Sequence, residues 1–208
     1  MTTPLPYRQR LESRMIDIAE RLVVTEGLTS VQARRVAQEA DCSVGTLYNI
    51  FGGLDGLIIT VNTRTIEILG DTLQAALNVV ANDDLEHRLT ALALAYRDFA
   101  SRQDTRWRAL FEHRMEAGKT VPDAYRQKQA VLFDLVEHTL ARQIARPLER
   151  STAARALFSA VHGILWLAHD NKLGALDHTE TERQIRFVVS AVALGILRAG
   201  GTRQRSPQ

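Results

Sequence analysis

One cysteine, Cys42, occurs in 208 residues, so no intrachain disulfide can form. Glycine and proline are also scarce, at 12 and 5, which excludes collagen-like and low-complexity sequence. Neither sign of charge dominates: 26 Lys and Arg stand against 24 Asp and Glu, a formal net charge of +2. A polybasic tail and an acidic disordered chain are thereby excluded. The longest nearly uninterrupted apolar stretch, Phe187 to Leu197, contains Ser190 and Gly195. It falls short of the ~20 residues that a membrane-spanning helix requires. The opening MTTPLPYRQRLESRM has no apolar core of the secretory-signal kind. A cytoplasmic location without a membrane partner is therefore expected. What is present, 45% apolar and 24% charged residues, describes a globular chain with a real core, of a length that permits one domain or two. The near-neutral total counts against a protein built on phosphate contacts, so any case for nucleic acid must rest on where the charges stand.

Almost every segment repeats its apolar residues at helical spacing, and no run of alternating β-branched residues bounded by turn signals is found. The fold is predicted to be all-α, with about nine helices. The first spans Tyr7 to Glu26, with Leu11, Met15, Ile18, Ala19 and Leu22 on one face, and Gly27 ends it. Thr29-Ser30-Val31-Gln32 reads as a capping box for a short helix reaching Ala40. Asp41-Cys42-Ser43 is a tight turn, in which Asp41 tolerates a left-handed backbone and Ser43 caps the two-turn helix Val44 to Phe51. After Gly52-Gly53, one apolar stripe from Leu54 to Val80 predicts a helix of about 40 Å. A polar break at Asn82-Asp83-Asp84 leads to a helix from Leu85 to Arg102, then to an aromatic one, TRWRALFEHRM. Pro122 suits the first turn of a helix reaching Ala145. Ser151 is expected to cap a helix to Asn171, followed by Gly174, and Thr179 to Glu182 forms a second capping box. The tail from 201 to 208 is expected to be disordered.

The second and third helices are short and separated by three turn residues, which is helix-turn-helix spacing. The run GLTSVQARRVAQEADCSVGTLYNIFGGLDGL carries Gly27, Val36-Ala37 with Ala40, Ser43, and Thr46-Leu47-Tyr48 followed by Phe51 and Leu57. In these residues, and over Leu11 to Thr60 as a whole, it resembles the DNA-binding signature of the TetR family of transcriptional regulators. Downstream, the helix around Trp107 and the segment AVHGILWLAHDNKLG resemble one subgroup of that family's regulatory domains, marked by a His-Gly step, here His162-Gly163. The resemblance implies a helix-turn-helix domain over 7–53, with the start of the connecting helix to about 67. It also implies a ligand-binding and dimerisation domain over 54–200, and no enzymatic activity or cofactor.

The chemistry of the recognition helix agrees. Leu47 and Phe51, four apart, point inward, and Val44, Gly45, Tyr48 and Asn49 fall on or near the other side. Gly45 lets the backbone approach the groove, Val44 can touch a thymine methyl, and Asn49 can pair with adenine N6 and N7. The resemblance gives Ser43 the helix start, Thr46 and Tyr48 phosphate contacts, and Arg34 a base-edge contact; Arg35 reads as a phosphate contact or a solvated charge. Family members usually place a phosphate-contacting lysine at the start of the long helix, where this chain has Leu54. Residues 1–53 balance six arginines with six acids, yet Arg8, Arg10 and Arg14 cluster at the N-terminus and Ser43 to Gly53 contains no acid.

Tyr96, Trp107, Phe111, His113, Met115, Tyr125, His162 and Trp166 form the candidate ligand pocket, with Phe133 nearby. Taken singly, each is also explained as core. His162 and His169 share a helix face, but neither HExxH nor paired-Cys spacing is found, so no metal site is expected. Cys42 is expected to be a packed thiol. The last two helices carry Ala160, Gly163, Leu167, Val188, Val192 and Ile196 at positions expected to be covered by a second copy. The expected function is a ligand-responsive DNA-binding regulator, a repressor, acting as a homodimer on a palindromic operator in double-stranded DNA and released by a small-molecule effector. The alternative is a helical small-molecule-binding protein or enzyme that uses the C-terminal aromatic pocket.

Overall fold

The structure, a computed structural model, describes residues 6–80, 84–169 and 177–203, with side chains to residue 199. Among the described residues the fold is all-helical. Helix α1 (Tyr7–Glu26) is closed by Gly27, whose positive φ of 85° suits a residue without a side chain. A 3₁₀ turn (Leu28–Ser30) leads to α2 (Ala33–Glu39), α3 (Val44–Phe51) and the long α4 (Leu54–Asn78). Then come α5 (Leu85–Arg102), α6 (Asp104–Glu112), α7 (Asp123–Leu140), α8 (Pro147–His169) and α9 (His178–Arg203).

Several helix starts differ from expectation, each for a local reason. The capping box at Thr29 does not form: buried Val31 anchors the chain, Ser30 turns its hydroxyl onto the Gly27 carbonyl at 2.7 Å, and α2 begins only at Ala33. Pro122 stands just before α7, its carbonyl receiving the Arg126 N–H at 3.1 Å, and α7 ends at Leu140 instead of Ala145. Ser151 lies inside α8, because Pro147 opens the helix at the position where a missing N–H costs least. At α9 the cap is Asp177, which accepts the Glu180 N–H at 2.7 Å, so the Thr179 box is displaced. Helix α9 continues through Gly200-Gly201 to Arg203. Asn82-Asp83, Asn171, Gly174 and residues 204–208 lie outside the described residues.

The chain packs as two compact units, drawn differently from the functional boundary expected at Gly53. The first takes residues 1–68 together with 102–128, and the second 69–101 with 129–208. In the first unit, Leu11, Met15, Leu22, Val36, Leu47, Leu57, Val61 and Ala109 form one core. Glu20 of α1 fastens both α4 and α6 to it, through Arg64 at 2.8 Å and Arg106 at 2.6 Å. Burial alone would raise the Glu20 pKa, but hydrogen bonds from these two guanidinium groups hold it below the ordinary carboxyl range. In the second unit, α8 and α9 pack together, burying Leu157, Val161 and Leu165 of α8 and Ile185, Val189 and Ala193 of α9.

Candidate nucleic-acid interface

Helix α3 is built to stand out from the first unit. Asp41 takes a left-handed φ of 56°, and the Cys42 N–H closes the turn on the Ala37 carbonyl at 2.9 Å. Ser43 then caps α3, its Oγ accepting the Thr46 N–H at 3.1 Å and lying 2.9 Å from the Thr46 hydroxyl. Leu47 is fully buried and Phe51 packs beside it, so the inner stripe of α3 is committed to the core. Its other side exposes Ser43, Gly45, Tyr48 and Asn49, with Val44 and Thr46 half-buried at the margins. A Cβ added at Gly45 would meet only the Ser43 Oγ, at 3.6 Å. The fold itself therefore does not require glycine there.

The junction after α3 is tight. Gly52 takes a left-handed φ of 72°, and α4 sets off at 60° to α3. At Gly56 a Cβ would stand 1.9 Å from the Phe51 carbonyl oxygen, a contact no side chain can make. Leu54, at the position where the resemblance implies a lysine, packs against the core.

The two α2 arginines separate. Arg34 is exposed and has no hydrogen bond or ion pair among the described residues. Arg35 forms a two-pronged contact with Glu26 of α1, at 2.7 and 2.6 Å, and reaches Glu39 at 3.3 Å. The Glu26 hydrogen bonds raise its pKa further. Cys42 is half-buried 3.9 Å from the Met15 sulfur, and burial pushes its thiol up.

A feature invisible in the sequence is the segment after α6, which lies against the first turn of α4. Asp55 accepts the Glu116 N–H at 3.2 Å, and its other oxygen is 3.4 Å from His113 Nε2. Burial lowers the His113 pKa, opposed by Asp55. These groups are some sixty positions apart in the chain, and no periodicity links them.

The candidate pocket residues fall into both units. Trp107, Phe111, His113, Met115 and Tyr125 belong to the first, where Trp107 and Tyr125 are core. Tyr96, His162 and Trp166 belong to the second, where the Tyr96 hydroxyl lies 2.9 Å from His162 Nδ1. There Phe158, which the sequence pattern does not single out, stacks on His162 with ring centroids 5.3 Å apart. Trp166 flanks the same imidazole at 5.8 Å. Burial lowers the His162 pKa, keeping the ring neutral. The six α8 and α9 positions, Ala160, Gly163, Leu167, Val188, Val192 and Ile196, are all half-buried, and Phe187, Leu194 and Leu197 beside them are exposed. No group of three or more His, Cys, Asp or Glu is placed to hold a metal among the described residues. Nor is any single helix there long and apolar enough to cross a membrane.

A capped, outward-facing helix after a three-residue turn has the arrangement of a helix-turn-helix motif. The family model for the tetracyclin repressor-like C-terminal domain matches residues 89–192, half of the chain. The chain belongs to the TetR family of transcriptional regulators. Solved structures share the fold. A protein of unknown function from Rhodococcus sp. RHA1 superposes with a TM-score of 0.68 at 22% identity, covering 91% of this chain and 94% of that one. A TetR transcriptional regulator from the same organism gives 0.61 at 20%, covering 88% and 96%. A TetR family regulator from Thermus thermophilus gives 0.57 at 15%, covering 87% and 97%. Among curated proteins no significant sequence match is found.

Proposed function

We propose that this regulator binds a palindromic operator as a homodimer, represses transcription from it, and is released by a small-molecule effector. The observation that carries the reading is the face of α3: uncharged Gly45, Tyr48 and Asn49 exposed above a fully buried Leu47. Base edges are read there by Asn49, Val44 and the close approach of Gly45, while Ser43, Thr46 and Tyr48 meet phosphates. Arg34 supplies a base-edge contact from α2. Arg35, already engaged with Glu26, acts chiefly by fixing α2 on α1.

Dimerisation through α8 and α9 is supported by the apolar residues left exposed on α9 and by Gly163 and Gly195. A Cβ at either glycine would meet nothing within 4 Å in the single chain. Two-fold symmetry then presents two recognition helices to an inverted repeat. The effector is assigned to the second unit, around the Tyr96 and His162 pair and Trp166, where one polar contact stands among aromatic rings. Release requires only that the effector prefer a state whose recognition helices no longer match successive major grooves.

Selection from random-sequence duplexes tests the reading. An inverted repeat is expected, and Tyr48→Ala or Asn49→Ala should weaken its binding by about 1–3 kcal/mol with the melting temperature unchanged. Recovery of no preferred sequence by the wild-type protein would overturn it.

A further inference from the structure

Between Arg35 and Arg64 the sequence contains neither lysine nor arginine, so α3 and the first turn of α4 bring no cation of their own to DNA. The structure delivers one from elsewhere. A Cβ built on Gly53 would lie 3.6 Å from Lys119 Nζ and 3.8 Å from a ring carbon of Tyr48. Lysine and tyrosine therefore flank the same glycine at the junction of α3 and α4. Both are exposed, Tyr48 at 52% and the Lys119 side chain at 42%. Neither is part of the core.

Lys119 is held in this place. Its Nζ is 3.6 Å from Asp55 Oδ2 and 2.7 Å from a Glu116 carboxylate oxygen, and Asp55 also anchors the backbone of the segment through the Glu116 N–H. The two carboxylates differ in kind. Asp55 is largely buried and positions the segment, whereas the Glu116 side chain is 70% exposed. An exposed ion pair of that sort contributes little net free energy, so the ammonium leaves Glu116 readily when a phosphate approaches. Phosphate neutralisation in turn releases a condensed counterion.

We infer that Lys119, carried by the segment between α6 and α7, is a DNA-backbone contact of this protein, placed beside Tyr48 by Asp55 and restrained by Glu116. The inference rests on the DNA-binding reading above and adds to it a residue outside the helix-turn-helix.

The test uses the full-length protein and the duplex recovered by selection, with affinity measured against salt concentration. Lys119→Met should weaken binding uniformly over sequences and reduce the log–log salt slope by about 0.9 per protomer, hence about 1.8 for a dimer. Lys119→Arg should keep the wild-type slope. Glu116→Gln should tighten binding, and that gain should vanish in the Lys119→Met background; loss of a nearby negative charge alone would tighten both backgrounds alike. A wild-type slope in Lys119→Met, or a Glu116→Gln gain that is absent or equally large with Lys119→Met, overturns the inference and leaves the regulator reading standing. If the wild-type protein selects no duplex, the two fall together.

Discussion

Two glycines within twelve residues of one another play opposite parts. A Cβ at Gly45 would make only an ordinary contact with the Ser43 Oγ, so alanine there is tolerated by the fold and favoured by helix propensity. Gly45→Ala is expected to raise unfolding stability by about 0.5–1 kcal/mol while weakening DNA binding, because the new methyl stands between backbone and groove. Chemical denaturation and a binding titration on the same preparation check the opposite signs. At Gly56 the obstacle is the Phe51 carbonyl, which cannot swing away as a side chain would. Gly56→Ala should cost about 1–3 kcal/mol and also impair DNA binding, since α3 can be relieved only by moving against α4. The exposed place of Gly45 on its helix is legible in sequence, because helix position is local information. The demand at Gly56 is not legible there, since it depends on the 60° turn between the two helices.

At the level of elements, long-range ion pairs fasten helices that the apolar stripes alone would leave free to slide. In the second unit, buried Arg97 of α5 donates to Glu182 of α9 at 2.6 Å, and Arg186 donates to the same carboxylate at 2.8 Å. These hydrogen bonds lower the Glu182 pKa to about 2. Because the folded-state value is depressed, its stabilising contribution is present above the unfolded carboxyl range near 4.5 and is lost as pH falls towards 2. Glu182→Gln should therefore melt below wild type at pH 7, and the gap should close on titration to about pH 2. Thermal melts across that range measure it. Several helix starts depart from their sequence patterns for a related reason. A capping pattern such as Thr29 to Gln32 states that a helix can begin there, but burial of Val31 and the turn made by Ser30 decide that it does not. Ser43 succeeds as a cap because the neighbouring turn at Asp41 already aims the chain correctly.

For the whole molecule, the exposed apolar residues of α9 bear on the second copy. Phe187 is 75% exposed, with Leu194 and Leu197 following on the same helix. A dimer covering them is expected to break on Leu194→Glu, which places a charge where the partner's helix must pack. Light scattering coupled to gel filtration should then report a monomer. Operator affinity should drop well beyond the loss of one contact, since each half-site binds alone. A variant that stays dimeric and binds normally would remove α9 from the interface.

Local patterning by itself determined the all-helical class, the extents of α1, α3 and α5, the left-handed Asp41, the Ser43 cap and the inner and outer faces of α3. Each of these depends on residues within a few positions of one another, whose spacing is dictated by the 3.6-residue turn. Only the tertiary structure decided that residues 102–128 pack with the N-terminal helices, that Arg35 is taken up by Glu26, and that Lys119 comes to rest beside Tyr48. Those outcomes depend on close contacts between residues far apart in the chain, where burial and charge choose among partners that periodicity cannot rank.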